Sequence, residues 1–291
     1  MERMAGYLEN TAAQRLIKGE TTPKYKKKRV DADRIFLPIS LLVVILYLCI
    51  LCVPIIAIAK HAGLTNIMGT LTDPNCIGAI RLSAKTSLIS VMFTFLLGTP
   101  TVFYLFHRRN RRWTKVLDSI VQLPIVLPPA VAGIGLLLAF GRNGLVGSVL
   151  SRYHVEVVFT PAAVVIAQFF VSSALYIQVL RTAVETVPGE LFEVSYVLGA
   201  GKIETVVKVI LPMLSKPVLL GLVLSWIRAL GEFGATIMFA GNMLNRTRTI
   251  PLQIYTLMQA DMAMASAMAA MLFVMTFVLL MVVKIWLKEQ G

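Results

Sequence analysis

What most constrains this chain is a series of apolar runs, at 35–59, 84–106, 116–140, 161–180, 217–240 and 265–287. Each approaches or exceeds the ~20 residues that a helix needs to cross a bilayer. Lipid offers no partner to a backbone N–H or C=O, so a run that crosses it must satisfy those groups internally. Helices do so, and the alternating pattern of barrel strands is absent. The expected fold is therefore an all-α membrane protein with six transmembrane helices. The first run carries basic residues before it and Ala57-Ile58-Ala59 at its end, as a cleavable signal would. Its apolar stretch is longer than the ~7–15 residues of a signal core, so 35–59 reads as a retained helix. Residues 1–34 form a polar, basic tail. Met4, Leu8 and Leu16 leave open whether that tail lies on the membrane or in solvent.

Orientation follows from Lys and Arg near the span ends. With the amino terminus inside, the cytoplasmic side holds the clusters Lys24 to Arg29 and Arg108 to Arg112, with Lys115, Arg181, Lys202, Lys208, Lys284 and Lys288. The outer loops hold Lys60, Arg81, Lys85, Arg142, Arg152, Arg246 and Arg248. This excess predicts that both termini are cytoplasmic and that the chain is a multi-pass protein of the cell membrane. The net charge of +13 is thus accounted for by membrane topology, and a nucleic-acid partner is not expected. Cys49 and Cys52 form a C-x-x-C inside an apolar run, where burial disfavours a thiolate, so they read as small apolar filler. His61, His107 and His154 fall in different loops, and no metal site is expected. The Met258 to Met275 run reads as adaptable apolar packing.

Between the fourth and fifth runs lies a polar-faced segment, 186–211, which this topology puts inside the cell. Pro188 suits a helix start, and Glu190 and Glu193 suit the positive end of the helix dipole. Leu191, Val194 and Leu198 share one face. Gly199 and Gly201 permit left-handed angles and a chain reversal. Ile203, Val206, Val207 and Ile210 mark a second stripe before Pro212. Such a pair of helices is either an amphipathic connector or a rigid knob for a partner's groove. Gly201-Lys202 sits where a P-loop would end, but Tyr196 and Ile203 replace its first glycine and its hydroxyl, so phosphate cradling fails. No nucleotide chemistry is expected on this chain.

Two charges lie within the fifth run. A charge at a helix centre costs roughly 2.5–3.5 kcal/mol on insertion scales, so it faces protein or water. Arg228 and Glu232 are spaced to share a helix face. They form either an ion pair that makes insertion tolerable or a pathway group for an anion. The ion pair is preferred, because a passing substrate should not meet a deep trap. Pro124, Pro128 and Pro129 interrupt the third run, either as kinks or as a cavity border.

The stretch EVSYVLGAGKIETVVKVILP, 193–212, resembles the cytoplasmic signature of ABC importer permeases. Glu193, Gly199, Leu211 and Pro212 match it, while Val194 and Ser195 stand for its two alanines and Val209 for its isoleucine. The likeness extends over about 80–284: Arg81-Leu82-Ser83 and Leu97-Gly98-Thr99-Pro100, then Leu123 to Pro129, Phe140 to Gly144, Arg228 to Thr236, and Thr247 to Leu252. By these motifs the chain is identified as a member of the molybdate/tungstate branch of type-1 ABC permeases, with sulfate permeases closely similar. The resemblance implies a type-1 core over 80–287. It implies coupling to an ATPase through 186–211, with Glu190, Glu193, Ser195, Gly199, Gly201, Leu211 and Pro212 as coupling residues, and a pathway near Arg228, Glu232, Pro128 and Pro129. It also implies an assembly of two ATPase chains, a second permease copy and an extracytoplasmic oxyanion-binding protein. ATP and Mg would be bound by the partner, with no cofactor and no catalytic residue on this chain. A different class, the ion-coupled secondary transporter, needs no such joint, and a membrane enzyme would need a clustered His, Cys or carboxylate constellation.

Overall fold

The computed structural model describes residues 26–109 and 111–289, and among them every regular element is a helix. The described chain divides into two compact units, one ending at Ile56 and the other beginning at Ala57. The first consists of most of α1 (Lys26–Ala62). Its Phe36, Leu41, Leu46 and Val53 are exposed, as suits a helix whose solvent is lipid.

After the last turns of α1, the second unit continues with α2 (Leu64–Thr72), a helix that hydropathy does not reveal, and α3 (Pro74–His107). Asp73 caps α3 by accepting from Cys76 N–H at 2.9 Å, and Pro74 occupies its first turn, where a missing N–H costs nothing. After them come α4 (Arg112–Val126), α5 (Pro129–Phe140), α6 (Gly147–Arg152) and α7 (Pro161–Glu185). The joint comprises α8 (Gly189–Val197) and α9 (Lys202–Met213). The last elements are α10 (Ser215–Leu230), α11 (Gly234–Ala240), α12 (Ile250–Met258) and α13 (Met262–Glu289).

Helix α7 is the axis of this unit, packing against α3, α10, α11, α4 and α5. Small residues permit that closeness. Tyr176 of α7 is wedged between two glycines: a Cβ on Gly98 would lie 2.9 Å from its ring, and one on Gly221 would lie 3.1 Å from it. Its hydroxyl meets Thr99 Oγ1 at 2.6 Å, so the buried oxygen is satisfied. Gly221 therefore serves packing within the chain. One apolar cluster joins Val102 and Phe103 to Tyr176, Leu180, Ile210 and Leu214, beneath the joint. A second joins Ala132 and Leu136 to Ala167, Val171, Ala235 and Phe239.

Four helices are individually long and apolar enough to span a membrane: α1 from Phe36, α3, α7 and α13 as far as Leu287. The third apolar run is not one straight rod, since α4 and α5 meet at 115°. Leu127 and Pro128 each precede a proline, which disfavours helical angles, and their ψ values of 130° and 132° are extended. The fifth run also departs from its hydropathy. Just before it the chain bends by 79° between α9 and α10, and its helix stops at Leu230, leaving 234–240 as the separate α11 against α5 and α7. Gly231 and Gly234 each lower helix propensity by about 1 kcal/mol, which an apolarity count does not register. Six spans result when each bent pair counts as one.

Candidate functional site

The joint is built on a buried foot. Leu191 and Phe192 of α8 and Val206, Val209 and Leu211 of α9 pack on the cluster containing Ile210 and Leu214. Phe192 meets Phe106 at the end of α3, with ring centroids 5.6 Å apart. Lys202 Nζ lies 3.1 Å from His107 Nε2, a second tie to α3. Ser195 is buried and donates to Leu191 O at 2.7 Å, which keeps its hydroxyl within the helix. Together these contacts fix the orientation of both short helices.

The turn between them is a glycine-dependent helix ending. Gly199 sits at φ +86°, Ala200 N–H bonds Ser195 O at 3.0 Å, and Gly199 N–H bonds Tyr196 O at 3.0 Å. This is the six-to-one plus five-to-two pattern that closes a helix through a left-handed residue. Gly201, by contrast, has φ −70° and ψ 164°, so the reversal uses one left-handed glycine, not two. In α9 a π turn spans Val206–Ile210, with Leu211 N–H bonded to Val206 O. Pro212 lacks the N–H that would bond Lys208 O, and the helix widens next to it.

The opposite surface of the joint is uncovered. Val197, Leu198 and Ile203 are 86%, 80% and 81% exposed, and Val194 and Val207 are exposed too. The two sequence stripes are thus split: Leu191, Val206 and Ile210 face the core, while Val194, Leu198, Ile203 and Val207 face out. Glu190 and Glu193 are exposed on the same short helix, and Pro212 is exposed at the far end. Glu204 and Lys208 bond at 2.6 Å; the ammonium donor holds the carboxyl below its usual range, and the carboxylate holds the ammonium above its own. A groove of about 630 Å³ runs along Gly201, Ile203, Glu204 and Val207.

The two helix breaks meet. A Cβ on Gly234 would lie 2.9 Å from Pro129 Cβ, and one on Gly133 would lie 2.7 Å from Ala235 O, so α5 and α11 approach through small residues. Glu232 is 1% exposed and lies beyond the end of α10, not within a continuous helix. Its Oε2 accepts from Arg228 Nη1 at 2.8 Å, and its Oε1 accepts from Ala235 N–H at 2.8 Å. The carboxylate occupies the positive end of α11, where an anion would otherwise be drawn. The Arg228 side chain is 33% exposed. The structure therefore brings Arg228 and Glu232 together, and separately sets Pro129 against Gly234. The residues expected to couple, from Glu190 to Pro212, all lie in the joint.

Two polar groupings have a weak sequence signal. Ser83, Ser87, Ser90 and Thr94 form a buried seam on α3, at steps of four, three and four residues. Ser83 Oγ accepts from Ile250 N–H at 2.7 Å and Ser87 Oγ from Trp226 Nε1 at 2.9 Å, tying α3 to α12 and α10. Gln168 on α7 is wholly buried with neither amide atom hydrogen-bonded within the protein. Hydroxyls at heptad spacing in an apolar run are the signal that would have found the seam; a lone Gln gives none. Arg248 is a strut, with Nε donating to Asn242 Oδ1 at 2.8 Å and Nη1 to Gln253 Oε1 at 3.4 Å.

The chain is similar to proteins of known family and fold. Residues 90–288 match the family described as "Binding-protein-dependent transport system inner membrane component". The chain is 56% identical over 257 residues to the "Probable transport system permease protein NifC" of Clostridium pasteurianum, covering 88% of this chain and 90% of that protein. It is 41% identical over 202 residues to the "Molybdenum transport system permease protein ModB" of Mycobacterium tuberculosis, covering 69% of this chain and 76% of that protein. Its fold is similar to a chain of a bacterial alginate ABC transporter, solved in complex with an alginate pentasaccharide-bound periplasmic protein. That match has a TM-score of 0.67 at 20% identity and covers 89% of this chain and 96% of that one.

Proposed function

The chain belongs to the family of binding-protein-dependent transport system inner membrane components, the multi-pass permease subunits of ABC importers, and from that premise we propose that it carries molybdate or tungstate across the cell membrane. The joint carries the reading. A pair of short helices, footed in the core and presenting bare Val197, Leu198 and Ile203, suits docking into a groove on a separate ATP-hydrolysing subunit. Burying apolar side chains of that size is worth ~1.5–3 kcal/mol each, which supplies a firm grip. ATP and Mg belong to that partner, and two such partners serve a pair of permease chains. An oxyanion-binding protein delivers the substrate on the far side. Both termini lie in the cytoplasm, as the Lys and Arg distribution requires.

Alternating access then has a mechanical basis. The partner's motion pushes the joint, whose foot grips α3 through Phe106 and His107 and α7 through the Leu180 cluster. These helices move as rigid bodies because their packed faces are not continuously deformable. The molybdate assignment draws support from the similarity to the molybdenum-transport permease and from the motif run Arg228 to Thr236. Glu232, with both oxygens engaged, is a brace and not a substrate ligand.

The test is reconstitution of this chain in vesicles with its ATPase subunit and binding protein, following molybdate entry. Uptake should require ATP and all three components, and tungstate should compete. Entry without the ATPase would sink the importer reading; sulfate competing as well as molybdate would replace the substrate assignment alone.

A further inference from the structure

At the end of α3 nearest the joint, a cavity of about 130 Å³ opens between α3, α4 and α7. Its lining includes Arg109, Thr114, Lys115, Asp118, Arg181 and Glu185. The two carboxylates are engaged: Arg181 Nη1 pairs with Asp118, and Arg181 Nε donates to Glu185 Oε1 at 3.2 Å. Two cations remain over. The Arg109 guanidinium lies over the Phe106 ring at 4.8 Å, and Lys115 is exposed; no carboxylate pairs with either among the described residues. Thr114 is 3% exposed, lines the cavity, and its Oγ1 is buried with no protein partner. The amino end of α4, which carries Thr114, has no side-chain cap. Two cations without a carboxylate and a buried hydroxyl donor, set in the first turn of a helix whose positive end has no side-chain cap, suit a phosphate.

The surroundings select the source of that phosphate. The cavity lies where α3 and α7 end and α4 begins, and the exposed Tyr104 and Trp113, ring centroids 6.0 Å apart, are the chain neighbours of its lining residues Leu105 and Thr114. An exposed aromatic pair at a span end marks the depth of lipid headgroups. Basic pockets between spans at that depth take anionic headgroups. We propose that this cavity binds the phosphate of an anionic phospholipid from the leaflet that meets the joint. A lipid seated there would brace the ends of α3 and α7 on which the joint stands.

The experiment titrates the purified full-length chain, in non-ionic detergent, with short-chain phosphatidylglycerol, phosphatidylcholine and inorganic phosphate. Phosphatidylglycerol should bind best. R109Q/K115Q should weaken it about five-fold per cation removed. T114V, which preserves shape, should weaken it about ten-fold through loss of a hydrogen bond to a charged group. R111Q/R112Q, equal in charge but outside the cavity lining, should leave most of the affinity, and every variant is checked for unchanged elution and helical content. Equal binding of the two lipids, or equal loss in R111Q/R112Q and R109Q/K115Q, overturns the site as diffuse charge. Phosphate binding as tightly as the lipid overturns the lipid assignment. Loss of ATPase-subunit association in R109Q/K115Q with lipid selectivity intact overturns it in favour of a protein contact.

Discussion

Replacing Gly199 by Ala isolates the mechanical role of the joint, because the structure separates backbone strain from steric clash. A Cβ at Gly199 meets nothing within 4 Å, so the substitution costs only what φ +86° imposes on an L residue. That cost is about 1–2 kcal/mol, equivalent to a five- to thirty-fold shift away from the closed turn. Docking that requires this turn should weaken by up to the same factor. Gly201 is the internal control. A Cβ there would also meet open space, but its φ of −70° suits any residue. Gly201→Ala should therefore leave docking unchanged. The assay is retention of the ATPase subunit on the immobilised permease as a function of its concentration, alongside ATP-driven uptake. Thermal unfolding of the permease alone should differ little between the variants, since the turn contacts no other element through its glycines. Equal behaviour of the two variants, or a collapse of stability in Gly199→Ala, would refute the reasoning.

Three further expectations concern the helix breaks. Gly133→Ala inserts a methyl 2.7 Å from Ala235 O and should cost about 1–3 kcal/mol by forcing α5 from α11, read as a lower Tm in detergent; an unchanged Tm counts against that close approach. Glu232→Ala leaves Ala235 N–H and Arg228 without their partner and should cost about 1–3 kcal/mol, whereas Glu232→Gln keeps an acceptor for Ala235 N–H and should cost less; equal losses would show that the cap contributes nothing. Arg228→Gln should lower the yield of folded protein yet leave molybdate uptake per assembled transporter unchanged, and a selective loss of uptake would move Arg228 into the pathway.

Much of the architecture is legible in the residues themselves. Lipid leaves helices as the only solution for long apolar runs, so the spans at 35–59, 84–106, 161–180 and 265–287 follow from hydropathy, and their elements differ from it chiefly at the ends. The joint is legible as well, because a polar-faced stretch with Gly199 and a terminal Pro212 stands out between two spans. Pro128 and Pro129 announce a break through their effect on the residue before each. What chain order does not contain is direction. Val206 and Val207 are adjacent and chemically identical, yet one packs on the core and the other faces out, because the foot on Phe106 and Leu180 sets the rotation of α9. Gly199 and Gly201 are equal in the sequence, and only the hydrogen bonds back to Ser195 and Tyr196 decide which turns left-handed. Glu232 reads as part of a span until the chain ends α10 two residues earlier and turns the carboxylate onto Ala235. The cavity holding Thr114 and Lys115 against Arg181 joins side chains far apart in the sequence. Local preference and hydropathy act on neighbours along the chain, whereas faces, caps and cavities are set by which helices pack together.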